Sequence, residues 1–377
     1  MGLHYLLTGS ALSVYLLLMW IFGSVLKLRG PDLWVFRAVG ALIGFLVAGL
    51  YIWYRLKSGL SGIRLGRSRG AEAGGEADEA DLVIRDAEAR LAASRLGPGA
   101  RLSQLPVVFV VGPPGSAKTT AMVQSGLEPE LLAGQVYQEN AIAPTRSVNL
   151  WFARQTVFVE VAGRLLAEPD RWVRLVRRLA PGRSKAAGGK QQAPRAAVVC
   201  FDCEEFLKPG ASDAVAVTVR NLHQRLGEVS QLLGISFPVY VLFTKMDRVP
   251  FFLDYVRNLT HEEAGQVVGA TLPLAGAAAE GVYAEQASQR LAAAFNDLYF
   301  TLAERRLDFL AREHAPEKLP GAYEFAREFR KLRAPLVQFL VDVAKPSQLR
   351  AAPFLRGFYF SGVRPVVVEE AAPAPLK

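Results

Sequence analysis

The stretch that most constrains the fold is residues 107–120, which reads VVFVVGPPGSAKTT. Its first five residues are apolar without alternation, which is typical of a strand buried on both faces of a sheet. A glycine-rich turn follows, and Lys118-Thr119 then stands at the expected start of a helix. Backbone N–H groups at such a helix start form an anion cradle. The stretch therefore predicts a strand, a phosphate-binding loop and a helix.

The turn matches the phosphate-loop pattern G-x-x-x-x-G-K-[ST] with one substitution, because Ala117 stands where the second glycine belongs. Lys118 is expected to reach the β- and γ-phosphates of a nucleotide, and the Thr119 hydroxyl to bind Mg²⁺. An ordinary strand-to-helix connection is the alternative. If position 117 needs a positive φ, its methyl group costs about 1 kcal/mol. The residues expected to hold the nucleotide here are Gly112, Gly115, Ser116, Ala117, Lys118, Thr119 and Thr120.

Strands alternate with helical segments after residue 100, which predicts an α/β fold with a mostly parallel, doubly wound sheet of the P-loop GTPase-like kind. The expected strands are 107–111, 157–161, 196–201 and 239–243. Ligands bind beyond the carboxyl ends of the strands in such sheets. The residues that follow each strand are therefore the candidates for a functional site.

Two further signatures follow predicted strands. Glu160-Val-Ala-Gly163 takes the place of the D-x-x-G element, in which the carboxylate holds the Mg²⁺ shell and the glycine N–H meets the γ-phosphate. Thr244-Lys245-Met-Asp247 resembles the element whose aspartate accepts two hydrogen bonds from guanine, with a plain surface turn as the alternative.

Two residues are candidates for roles in a switch or in hydrolysis. Thr145 is a candidate to contact Mg²⁺ and the γ-phosphate, and a polar strand start is the alternative. Arg164 stands where many GTPases have a water-orienting glutamine. It is a candidate to stabilise charge in the transition state, and a structural salt bridge is the alternative. We therefore expect GTP or ATP with Mg²⁺ as the ligand, guanine being preferred through Asp247, and slow hydrolysis.

Two apolar stretches precede this region. Residues 5–26 carry no charge, and 33–54 are apolar apart from Arg37. At about 1.5 Å per residue, each stretch is long enough to cross the hydrocarbon core of a bilayer. They predict a transmembrane helical hairpin in contact with membrane lipid. The basic residues that follow the second stretch place the rest of the chain in the cytoplasm.

The expected organisation has four parts. The hairpin occupies 1–56, a tether with a short helix occupies 57–99, and a P-loop NTPase-like domain occupies 100–261. A helical extension follows over 262–377, with a possible returning strand near 357–361 and an Ala/Pro-rich tail.

Charge and cysteine content narrow the classes of partner. The net charge is +9, and basic residues crowd into 55–69 and 171–195. That pattern favours an anionic lipid surface or a local partner over nucleic acid. Cys200 and Cys203 form a single C-x-x-C, and a tetrahedral metal site needs two more ligands, so we expect reduced, structural thiols.

The ordered strings GPPGSAKTT, TRSVNLWF, EVAGR, FPVYVLFTKMD and LRGFYFSG resemble the IcmF-related TssM family of type VI secretion membrane-complex proteins. The resemblance covers the part of those proteins that precedes their periplasmic region. It implies a multi-pass inner-membrane scaffold subunit whose cytoplasmic domain links the membrane complex to the baseplate. It also implies a TssL-like inner-membrane partner and a homo-oligomer within the larger complex. A membrane-anchored regulatory GTPase and a structural pseudo-NTPase remain the alternatives.

Overall fold

The computed structural model describes residues 79–96, 100–138, 141–180, 193–273, 283–346 and 351–364, together with Gly40. The chain divides into two compact units, Met1–Glu76 and Ala77–Lys377. All the helices and strands given below belong to the second unit.

An eight-stranded mixed sheet forms the centre of this unit. Its strands are β1 (Val107–Val111), β2 (Glu130–Ala133), β5 (Val148–Ala153), β6 (Thr156–Val161), β7 (Arg195–Asp202), β8 (Pro238–Thr244), β9 (Val268–Thr271) and β10 (Phe354–Phe360). Two short strands, β3 (Tyr137–Gln138) and β4 (Ala141–Ile142), pair separately. The order across the large sheet is β2-β5-β6-β1-β7-β8-β10-β9.

The strands β6, β1, β7, β8 and β10 run parallel, whereas β2, β5 and β9 run antiparallel to their neighbours. The connection between β5 and β6 is a two-residue turn, Arg154-Gln155, with φ of 46° and 61°. Positive φ at both residues is the geometry of a type I′ hairpin, and it fixes the register of the two strands. Because β6, β1, β7, β8 and β10 run in the same direction, all five end at one edge of the sheet.

Nine α-helices surround the sheet in the described ranges. They are α1 (Glu79–Ala93), α2 (Lys118–Val123), α3 (Pro169–Leu179), α4 (Ala211–Leu233), α5 (Phe252–Val256), α6 (His261–Ala264), α7 (Tyr283–Ala311), α8 (Leu319–Lys331) and α9 (Arg333–Val343). In the helical extension, α7 packs against α8 and α9. The rings of Phe295 and Phe329 stack there at 4.8 Å.

The core lies on both faces of the sheet, because successive side chains of a strand point to opposite faces. Phe109 and Val111 of β1 join a large cluster that includes Trp172 of α3. Val110 points the other way and joins a smaller cluster with Met122 of α2. Burial on both faces explains why β1 is apolar without alternation.

The fold class predicted from the sequence must be corrected. The sheet is mixed, since its outer strands are antiparallel. The transmembrane hairpin is not supported: within the described ranges, no helix combines the length and the apolar composition needed to cross a membrane. The hairpin was predicted over 1–56, which lies outside the described residues apart from Gly40. The longest described helix, α7, carries charged side chains along its length and packs on the domain instead.

Candidate functional site

The candidate site lies at the carboxyl ends of the parallel strands, beside β1. The chain places β6 on one side of β1 and β7 on the other, so the strand order reverses there. A crevice opens at such a reversal in α/β sheets. Here it is a cavity of about 380 Å³ lined by residues 114–120, 142–145, Glu160, 162–164 and Lys245.

The phosphate loop is held close to its neighbours. A Cβ at Gly112 would overlap the carbonyl oxygen of Cys200 on β7, so a glycine is required at this close approach. Ala117 has a φ of 55° and a ψ of 29°, which is left-handed. This conformation costs an L-residue about 1–2 kcal/mol. The alanine is therefore accommodated under strain where a glycine would be relaxed.

The backbone of the loop presents unused donors. The N–H groups of Gly115 and of residues 117–120 donate to no other described residue, whereas Ser116 N–H donates to the Pro113 carbonyl at 3.4 Å. The side chain of Thr120 is exposed. Free N–H groups at a helix start favour an anion.

Lys118 is buried and bonded to its own loop. Its ammonium donates to the carbonyl oxygens of Gly112 at 3.0 Å and Pro113 at 2.9 Å, and to the Ser116 hydroxyl at 3.3 Å. Burial lowers the pKa of Lys118 from 10.5, an effect opposed by the nearby Cys200 and Glu160. The ammonium is thus held at the loop, and each of its three protons is available for one of these acceptors.

Glu160 on β6 is fully buried, and its carboxylate accepts four hydrogen bonds. Oε1 accepts from the hydroxyls of Thr119 and Thr145, each at 2.5 Å. Oε2 accepts from the Asn149 amide at 3.1 Å and from the Trp151 indole N–H at 3.0 Å. All four hydrogen-bond partners are uncharged, and the nearby cation is the ammonium of Lys118, with which the carboxylate interacts through space.

The donor set fits Mg²⁺. The hydroxyl oxygens of Thr119 and Thr145 lie 3.2 Å apart. Adjacent ligands of an octahedral Mg²⁺, each at about 2.1 Å, stand about 3.0 Å from one another. Both hydroxyls give their protons to Glu160, which leaves their lone pairs for a cation. In the part of the chain that the structure describes, no group of three or more His, Cys, Asp or Glu residues could hold a metal. Phosphate and water oxygens would therefore supply the remaining ligands.

Gly163 and Arg164 lie beside the phosphate loop. A Cβ at Gly163 would overlap the backbone nitrogen of Pro114, so this glycine is required by close packing. The guanidinium of Arg164 lies 3.4 Å from the carboxylate of Glu79 on α1, and both side chains are about half exposed. Arg164 thus lines the cavity and also forms the salt bridge that the sequence left as its alternative role.

Thr244 connects the ends of β7 and β8 with the phosphate loop. Its buried hydroxyl lies 3.2 Å from the Ser116 carbonyl oxygen and 3.3 Å from that of Phe201. Lys245, which is left-handed with a φ of 56°, pairs with Asp202 at 2.7 Å. Thr244 therefore braces the phosphate loop through a single hydroxyl.

Asp247 lies away from the phosphate end of the cavity. Its Oδ1 accepts from the Val363 N–H at 3.0 Å, and the Met246 N–H donates to the Ser361 carbonyl at 3.0 Å. The segment that follows β10 therefore packs on the turn that contains Asp247. The structure brings together the phosphate loop, Thr145, Glu160, Gly163, Arg164 and Lys245 around one cavity, and Asp247 is not among the residues that line it.

Sequence reasoning missed three residues that support the site: Asn149, Trp151 and Asp202. Asn149 and Trp151 lie one and three residues after Val148, the first residue of β5, and as alternate residues of a strand they point to the same face. An amide and an indole on a buried strand are the signal that could have found them, because buried polar groups need partners. Asp202 could not be identified from its local sequence, because its contribution to the site is an ion pair with Lys245, which is distant along the chain.

Both cysteines are free and buried. Burial raises the pKa of Cys200 to about 12, and that of Cys203 is also raised by burial. The thiol of Cys203 contacts the sulfur of Met246 at 3.3 Å. Neutral, buried thiols are consistent with packing roles for both residues.

Comparisons with known proteins point in one direction. A family model described as the IcmF-related N-terminal domain matches residues 189–372, which begin after the phosphate loop. The chain is also 32% identical over 290 residues to the type VI secretion system component TssM1 of Pseudomonas aeruginosa, and this match covers 73% of the chain. The chain spans 25% of the length of that relative. Both matches support a TssM-like protein.

Proposed function

We propose that this chain is a scaffold subunit of a type VI secretion membrane complex at the inner membrane, with a P-loop domain that binds a nucleotide together with Mg²⁺. The similarity to TssM1 and to the IcmF-related N-terminal domain supports the secretion role. The multi-pass hairpin is not part of this proposal.

One observation carries the nucleotide part. Lys118, the free N–H groups of the loop, and the hydroxyls of Thr119 and Thr145 face a single cavity at the strand reversal. An ammonium and N–H donors suit phosphate, and hydroxyl oxygens beside a buried carboxylate suit Mg²⁺. An ordinary strand-to-helix turn needs none of these groups.

Each residue has a defined task in this proposal. The free N–H groups of Gly115 and of residues 117–120 bind the phosphate oxygens, and Lys118 exchanges its contact with Ser116 for one with phosphate. Thr119 and Thr145 hold the metal ion, and Glu160 orients both hydroxyls by accepting their protons. Bound Mg²⁺ supplies positive charge that neutralises the phosphates. Gly163 presents its N–H beside the loop.

Hydrolysis is proposed to be slow. Arg164 is paired with Glu79 and must leave that partner before it can stabilise charge on a phosphate. The strained Ala117 and the longer carboxylate arm of Glu160 weaken positioning, which affects the transition state more than ground-state binding. The ligand is GTP or ATP, with guanine preferred if Asp247 turns one carboxylate oxygen to the base.

The proposed partners follow from the resemblance alone. They are a TssL-like inner-membrane protein and components of the baseplate, to which this domain would link the membrane complex. Self-association within the complex is proposed on the same ground.

Calorimetry on the full-length protein tests the nucleotide part. Lys118→Ala is expected to bind Mg²⁺·GTP and Mg²⁺·ATP far more weakly than the wild type, because the phosphate charge then lacks its ammonium. Lys208→Ala is the matched control, since Lys208 is an exposed lysine paired with Glu205 outside the cavity. Absence of binding by the wild type would favour a structural pseudo-NTPase.

A second experiment tests the secretion part. The tagged full-length chain is co-expressed with a TssL-like protein and purified. Recovery of the pair in a defined ratio supports the scaffold role. Nucleotide binding without any such complex would favour a regulatory GTPase instead.

A further inference from the structure

Asn149 and Trp151 hold the carboxylate that organises the candidate metal site. We propose that they are positioning residues for Glu160, and that removing either one weakens Mg²⁺-dependent nucleotide binding although neither touches the ligand. This inference rests on the proposed nucleotide function. It concerns two side chains that the phosphate-loop signatures do not include.

The pairing of β5 with β6 brings these groups together. Asn149 lies directly opposite Glu160 in the antiparallel register, and Trp151 is two residues further along the same face of β5. Cross-strand neighbours and their diagonal neighbours are within reach of long side chains. The amide and the indole therefore approach the same carboxylate from one strand.

The two carboxylate oxygens of Glu160 have separate partners. Oε2 receives only N–H donors, from Asn149 at 3.1 Å and Trp151 at 3.0 Å. Oε1 receives only hydroxyl donors, from Thr119 and Thr145. Because Asn149 and Trp151 fix Oε2, the carboxylate cannot rotate without breaking two buried hydrogen bonds. Oε1 consequently stays aimed at the two hydroxyls.

Asn149 is itself held from the far side. Its Oδ1 accepts from the Gln135 N–H at 3.1 Å, and a Cβ at Gly134 would overlap that oxygen. Its amide nitrogen also lies 3.4 Å from the Thr145 hydroxyl. The orientation of Glu160 is thus tied to the loop after β2. Partners of this outer kind commonly change metal affinity by about 10- to 100-fold when they are removed.

Trp151→Phe is the decisive variant, because it removes the indole N–H and keeps an aromatic ring in the apolar cluster. Trp172→Phe is its matched control. Trp172 is also buried and also gives its indole N–H to a single acceptor, the Arg225 carbonyl at 3.2 Å, but it lies in the cluster on the other face of the sheet.

Titrations of Mg²⁺ and of GTP or ATP use the full-length chain. Trp151→Phe is expected to bind nucleotide about 10-fold more weakly in Mg²⁺, with a much smaller change in EDTA. Trp172→Phe is expected to bind within about twofold of the wild type in both. Equal weakening of the two variants in Mg²⁺, or no weakening in either, would overturn the proposal.

A stability measurement made without nucleotide or Mg²⁺ tests the positioning role independently of the proposed nucleotide function. In a double-mutant cycle, the shifts in denaturation midpoint caused by Trp151→Phe and Glu160→Gln are expected to be non-additive, whereas those of Trp172→Phe and Glu160→Gln add. Additive shifts for the Trp151 pair would overturn the positioning role. If the shifts were non-additive but the protein bound no nucleotide, the coupling between Trp151 and Glu160 would be supported. The proposed nucleotide function, and with it the effect of Trp151 on binding, would be rejected.

Discussion

Gly163→Ala perturbs the point where the segment after β6 touches the phosphate loop. The new Cβ would lie 2.7 Å from the backbone carbon of Pro113 and would overlap the nitrogen of Pro114. The Cδ of Pro114 would lie 2.5 Å from the new Cβ, and ordinary van der Waals contact begins near 3.4 Å, so the loop must move by about 0.9 Å or more. Overpacking of this kind costs about 1–3 kcal/mol. A displaced phosphate loop should also bind nucleotide at least tenfold more weakly, since small misplacements strongly reduce binding and catalysis.

The assay combines urea unfolding with calorimetry on the same preparations. Gly227→Ala is the control, because Gly227 lies inside α4 and a Cβ there meets nothing within 4 Å. Alanine should stabilise that helix by about 0.5–1 kcal/mol and leave nucleotide affinity unchanged. If Gly163→Ala unfolded within about 0.5 kcal/mol of the wild type and bound nucleotide equally well, the close approach of the two segments would be refuted.

Three further predictions concern the loop and the base. Ala117→Gly should raise the free energy of unfolding by about 0.5–1 kcal/mol in urea titrations, because relief of the left-handed strain exceeds the entropy of the added glycine; a loss of stability would contradict this. Burial lowers the pKa of Lys118, so the nucleotide affinity of the wild type should fall as pH rises through a value below 10.5. The affinity of Lys118→Ala should change little over the same pH range. If calorimetry gave parallel affinity curves for the two proteins, Lys118 would be excluded as a phosphate ligand. Asp247→Asn keeps an oxygen for the Val363 N–H and should abolish a wild-type preference for GTP over ATP of about 5- to 150-fold, whereas equal wild-type affinities would remove Asp247 from the base site.

Local patterns predicted the centre of the fold well. The four expected strands lie in β1, β6, β7 and β8, because continuous apolar runs bounded by turns are typical of strands covered on both faces. The three antiparallel strands β2, β5 and β9 were not expected. They lie at the sides of the sheet, where pairing with a neighbour decides the structure more than the composition of the strand does.

The sequence predicted which strand ends form the site, but it did not predict the hydrogen bonds that connect their side chains. Lys118, Thr119 and Glu160 lie together because the ends of the parallel strands β1 and β6 meet at one edge. Thr145 joins them because it precedes β5, whose antiparallel pairing brings its start to the end of β6. The contact of Glu160 with Trp151 depends on the register of the β5–β6 hairpin, which is set by a two-residue turn. The position of Asp247 depends on a segment more than one hundred residues further along the chain.

The last parallel strand, β10, pairs with β8 although about 110 residues separate Thr244 from Phe354. Closing a loop of that length costs about 2 kcal/mol more entropy than closing one of ten residues. The helices α5 to α9 lie within the loop and form from local contacts, so they can shorten it before the strands meet. Contacts between distant parts of a chain are made slowly. We therefore expect the pairing of β10 with β8 to be among the late steps of folding, and until it forms β8 presents an open apolar edge on which a newly made chain can aggregate.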